Sequence, residues 1–151
     1  MCYKSSNYKR YRFNTKKRKE TDTSRRGIAT VEFALIAPVF ILLVIGCIEL
    51  GRGLMVQQIL TNASREGVRN AVTLSGTQSS AIDAATNFAN GATVNGVSVA
   101  VSPNPADAEA GDMISLTVTV PYSNVSWVPA PWFLGSTTLS ATSVMRKEGF
   151  E

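Results

Sequence analysis

The chain of 151 residues contains no histidine and two cysteines. That removes the commonest general base and metal ligand, and leaves no cysteine framework to staple a small domain. Its formal charge of +4 conceals a split: residues 1–26 hold ten basic residues against two acidic ones, and residues 27–151 hold five against nine. The basic balance therefore belongs to the head, and is no argument for nucleic-acid binding by the body.

The head, residues 1–26, ends in Arg25-Arg26 and opens directly onto an apolar run from Ile28 to Ile48, interrupted only by Glu32. As a helix these residues would extend about 32 Å, close to the hydrocarbon thickness of a bilayer. Lysine and arginine beside such a run are retained on the cytoplasmic side, so the expected topology is N-terminus in and body out. The same basic cluster would suit a tail for anionic lipid or nucleic acid, but its place beside the run favours orientation. Two export signals compete for the segment. Ser24-Arg25-Arg26-Gly27-Ile28 is similar to a twin-arginine signal, and Val44-Ile45-Gly46-Cys47 to a lipoprotein cleavage box ending in a lipidated cysteine. A secretory signal of about 46 residues with a carboxylate in its core exceeds the usual length of about 15–30, which favours a permanent span.

Beyond the run the pattern becomes one-sided. Leu50, Leu54, Val56, Leu60, Ala63, Gly67 and Ala71 recur roughly at i, i+3, i+4 among Glu49, Arg52, Gln57, Gln58, Arg65, Glu66 and Arg69, predicting an amphipathic extension of the same helix. Pro38 marks a kink in the membrane part, and Gly51 to Gly53 a bend or close contact. Leu74 to Ser80 reads as a turn. A short second helix follows, with Ala81, Ile82, Ala84, Ala85, Phe88 and Ala89 at helical spacing up to Asn90-Gly91.

The period then changes to two. Val97, Val99 and Val101 alternate with small polar residues, Ile114, Leu116, Val118 and Val120 share one face, and Leu139, Ala141 and Ser143 share another. Ser102 to Asp112, rich in proline, glycine and aspartate, joins the first two strands. The fold class is α+β: a long N-terminal membrane helix, a short second helix and a small antiparallel sheet of about three strands. Three segments follow, 1–26 as head or leader, 27–72 as helix and extension, and 73–151 as an extracytoplasmic domain.

Pro121 to Gly135 is unusually aromatic, with Tyr122, Trp127, Trp132 and Phe133. Three uses fit it: closing the core, docking a partner, or lying at the membrane interface. Asp107, Glu109 and Asp112 form an acidic loop without the spacing of a calcium site, and read as solvated turn residues. No phosphate-cradling loop, nucleophile elbow or paired metal motif occurs, so neither an enzyme nor a cofactor is expected.

Glu32 requires a reason. A carboxylate in an apolar helix costs about 2.5–3.5 kcal/mol at the bilayer centre, and less near an edge. Either it lies in the first helical turn, favourable to the dipole and still wet, or it is a charge that another group must meet. Were the chain cut after Gly27, the new amine of Ile28 would lie one turn from it.

Arg26-Gly27-Ile28-Ala29-Thr30-Val31-Glu32-Phe33-Ala34-Leu35, then Pro38, Glu49, Gly51 and Ala63-Ser64-Arg65-Glu66-Gly67-Val68-Arg69, resemble the TadE-like family of bacterial tight-adherence (Flp pilus) systems over about residues 26–72. The resemblance implies a pilin-like outline and a minor pilin or pseudopilin of the inner membrane. Its partners would be the bilayer, other pilin-like Tad subunits and a prepilin peptidase, with a role in pilus assembly, the associated secretion system and surface adherence. It implies prepilin-type cleavage between Gly27 and Ile28, and recognition through Glu32 and Phe33. The alternative is a tethered cell-envelope binding module, or a lipoprotein lipidated at Cys47, acting through the aromatic loop 122–134.

Overall fold

The computed structural model describes residues 23–127 and 136–149. Its contacts separate the chain into two units, one ending at Phe40 and the other beginning at Ile41. Helix α1, Thr23–Ala71, contributes to both and continues through Pro38.

From Gly27 to Phe40 every residue is exposed or, at Ala37, half-exposed. Taken along α1, the most apolar 18-residue window has a mean hydropathy of 2.7 and none of it is buried. A helix of a soluble core would bury one stripe; this one offers apolar side chains all round, which is the surface a membrane span presents to lipid. The chain thus has one N-terminal helix long and apolar enough to cross a bilayer.

The second unit is a small α+β body. After α1 come α2 (Gln78–Gly91), strands β1 (Ser98–Ser102) and β2 (Met113–Pro121), a single 3-10 turn at Tyr122–Asn124, and β3 (Thr138–Arg146). The strands form an antiparallel sheet in the order β1-β2-β3. Val99 pairs with Val118 and Val101 with Leu116, while on the other side Ala141 pairs with Val118 and Leu139 with Val120. The inward row of β2, Ile114, Leu116, Val118 and Val120, is wholly buried. Its outward row, Ser115, Thr117 and Thr119, faces away, as expected of a sheet with one covered face.

The core joins this row to Val56, Leu60, Ala63, Val68 and Ala71 of α1 and to Ala81, Ala85 and Ala89 of α2. Gly67 is where the three elements converge: a Cβ there would lie 2.6 Å from Leu116 Cδ1, 2.9 Å from Ala85 Cβ and 3.0 Å from the Ala81 carbonyl oxygen. Only a residue without a side chain allows that approach. Strand β3 is fastened to α1 by polar contacts, with Ser64 Oγ 2.7 Å from Ser143 Oγ and Gln57 Nε2 donating to the Ser140 carbonyl at 2.8 Å. At the C-terminal end the Lys147 ammonium donates to the carbonyls of Pro105 and Ala108, tying down the β1–β2 connection. In that connection Asp107 accepts from Asn104 Nδ2 and Asp112 from the Glu109 N–H, the turn roles expected of them.

Three expectations are corrected. Helix α2 begins at Gln78 rather than after Ser80, because Thr77 Oγ1 accepts from the Ser80 N–H at 3.1 Å and Ser80 Oγ accepts from the Thr77 N–H at 3.2 Å, a reciprocal cap. Leu50 and Leu54 do not join the buried stripe of α1, which begins at Val56; both are about two-thirds exposed. Finally, α1 starts nine residues before Glu32, which removes that carboxylate from the first turn and from the reach of the helix N-terminus.

Candidate functional site

Two stretches of α1, one in each unit, carry the residues that stand out in the sequence. In the first, Gly27, Ile28, Glu32 and Phe33 are all exposed on the helix surface, with Phe33 at 71%. Ile28 and Glu32 are four residues apart and therefore share one face, one turn from each other. Pro38 follows on the same uninterrupted helix.

The second stretch lies where the apolar run ends. Glu49, the residue after Ile48, is half-buried, and it receives the segment that follows β2. Its Oε2 accepts from Ser126 Oγ at 2.9 Å and from the Tyr122 hydroxyl at 3.1 Å, and its Oε1 accepts from the Trp127 N–H at 3.1 Å. The Tyr122 hydroxyl also lies 3.0 Å from the Glu49 carbonyl oxygen, so its single proton is shared between two acceptors on one residue. Burial first, and then the bond to the Glu49 carboxylate and its negative charge, push the Tyr122 phenol above its ordinary value.

One turn along, Arg52 Nε donates to the Val125 carbonyl at 3.1 Å, and its guanidinium carbon lies 5.1 Å from the centre of the Trp127 ring, within cation–π range. Gly53 leaves room for the tyrosine: a Cβ there would lie 3.3 Å from Tyr122 Cε2. This is the close contact expected near Gly51 to Gly53, made by an aromatic ring against Gly53, whereas a Cβ at Gly51 would meet nothing within 4 Å.

The aromatic loop accordingly divides. Tyr122 is buried and closes the core, with Val125 beside it, while Trp127 is 70% exposed. Trp132 and Phe133 lie outside the described residues. Cys47 is a free, exposed thiol on the apolar run. Among the described residues no cluster of three or more histidine, cysteine, aspartate or glutamate side chains could hold a metal ion. Sequence reasoning noticed both Glu49 and Tyr122 but not that they meet. The available signal was a carboxylate directly after a long apolar run, where an unpaired charge is poorly placed.

No curated protein matches the chain, and no solved structure matches it. The segment holding Gly27, Glu32, Pro38, Glu49 and Gly67 does match a known family. Over residues 27–69, the chain matches the model of the TadE-like protein family.

Proposed function

We propose that the chain is a minor pilin or pseudopilin of a Tad (Flp-type) pilus system, anchored by α1 in the bacterial cytoplasmic membrane with its body outside, and that α1 packs against the helices of other pilin-like subunits during assembly. The observation that carries this reading is Glu32, an ionisable residue on a helix surface that is otherwise apolar and uncovered. In lipid a lone carboxylate is costly, and an amine from a neighbouring subunit would offset that cost, so the charge selects for association.

The starting point of α1 bears on how that amine could arise. In the uncut chain Glu32 lies in the third turn, beyond the helix dipole's influence. A cut between Gly27 and Ile28 would begin the helix at Ile28, one turn before Glu32, and create a free amino group there. Gly27 weakens the helix locally by about 1 kcal/mol relative to alanine, which eases the opening that a prepilin peptidase needs. The mass of the mature N-terminus in membranes tests this: a start at Ile28 is expected, whereas an intact head would exclude cleavage and a lipidated Cys47 would establish the lipoprotein route. Glu32→Ala should abolish co-purification with pilin-like subunits and pilus display while leaving the protein in the membrane.

The exposure of Trp127 favours a second reading, a tethered cell-envelope binding module. If Trp127→Ala removes function while Glu32→Ala does not, the assembly role is wrong and the binding role is right.

A further inference from the structure

Around Glu49 to Leu54, helix α1 has two unlike faces. Leu50 and Leu54, one turn apart, are 64% and 66% exposed. The other side, Glu49, Arg52 and Gly53, is covered by the segment from Tyr122 to Trp127. That segment delivers Trp127 to a fixed height on the helix, since its N–H is bonded to the first residue after the apolar run. If α1 spans a bilayer, Trp127 is held where hydrocarbon gives way to headgroups.

The chemistry at that height suits the boundary. An indole is an apolar body with one donor, and tryptophan is enriched at membrane interfaces for that reason. Arg52 can lie its stem along apolar surface while its charge remains among polar groups. The Glu49 carboxylate, which would otherwise repel anionic headgroups, is turned toward the loop and accepts three bonds there. Leu50 and Leu54 carry the apolar surface of Ile28 to Ile48 one turn further on the opposite side, so lipid contact is continuous with the run.

We propose that Trp127, held by Glu49 and Arg52, is an interfacial anchor that inserts into the lipid headgroup layer on the side of the folded body and fixes the depth at which α1 crosses the membrane. The inference rests on α1 spanning the bilayer, and is independent of any role in a pilus.

The test uses the full chain carrying Trp132→Phe, which leaves Trp127 as the sole tryptophan, reconstituted in nanodiscs of phosphatidylcholine and phosphatidylglycerol. Trp127 emission should shift to shorter wavelength than in the denatured chain. It should be quenched more strongly by lipids brominated near the headgroup than by lipids brominated near the chain ends. Full quenching by aqueous iodide with no effect of brominated lipid overturns the proposal, and so does shielding from both, which would mean that protein covers the indole. If the chain does not co-elute with the discs, spanning itself fails and the anchor with it, an outcome visible before any fluorescence is read.

Discussion

The two halves of α1 are one helix with two unlike surfaces. From Ile28 to Ile48 the side chains are, Thr30 and Glu32 apart, apolar and unburied; from Val56 to Ala71 they are mixed, and the apolar ones, except the half-buried Ile59, lie at full burial in the core with α2 and β2. The backbone is the same, so the difference resides in the side chains and what they meet. A continuous apolar surface has no use for a small protein core, which can cover only one stripe of it. A one-sided surface has no stable place in hydrocarbon, where Arg65, Glu66 and Arg69 would each be costly. Between them, Glu49 to Met55 belongs wholly to neither environment, and there the loop after β2 is attached.

The sharpest way to break this contrast is to make one substitution in each half. Leu60→Ala opens a cavity at a fully buried position and should cost about 2–5 kcal/mol of body stability, read by chemical unfolding in detergent. Leu42→Ala, at a position 69% exposed, should change unfolding by no more than about 0.5 kcal/mol and should act on membrane partitioning alone. Equal effects would mean that the body and the apolar run are not separate in energy.

The sequence pattern shows this contrast because it is a matter of period and composition, which are local. The apolar run, the stripe from Val56 to Ala71, the three strands and the small-residue face of α2 all follow from spacing, and the family match over residues 27–69 falls where the motif residues lie. What spacing misses depends on contacts distant in sequence. Nothing local to Leu50 or Leu54 distinguishes them from Leu60; they are exposed because the segment from Tyr122 to Trp127 covers only the other side of α1 at that level. Nothing local to Tyr122 separates it from Trp127, although one is buried against Gly53 and the other is not. The Thr77–Ser80 cap was legible in principle, but serine in place of the usual glutamate or glutamine hides it among turn residues. Composition alone marks Glu32 as a residue that needs a reason, but its distance from the helix start depends on α1 reaching back to Thr23, which no local pattern in the basic head signals.

The boundary itself can be sharpened at Glu49. Glu49→Gln keeps the shape of the side chain but removes its charge and replaces one acceptor oxygen with a donor, so either the Trp127 N–H loses its acceptor or the Ser126 and Tyr122 hydroxyls must turn from donating to accepting. Loss of charge-assisted bonds of this kind costs about 1–3 kcal/mol. The expected signature is local: amide exchange at Trp127 accelerates while exchange at Leu116 and Val118 in β2 does not. Acceleration in both would show that the loop is part of the cooperative body rather than a segment attached to it.

The smallest effect is expected at Tyr122, and it carries a pH signature. Tyr122→Phe keeps the ring against Gly53 and removes a hydroxyl that serves two acceptors on Glu49, a loss of about 1 kcal/mol at neutral pH. The folded-state value of this phenol is raised, so the unfolded chain releases the proton first. The stabilisation is therefore complete below the ordinary tyrosine value of about 10, and it is lost as pH rises through that value toward the folded one. The stability difference between wild type and Tyr122→Phe should accordingly hold up to about pH 9 and shrink as pH rises above about 10. A difference that stays constant across that range would mean that the hydroxyl is not bonded to Glu49, and that Tyr122 is fixed by burial alone.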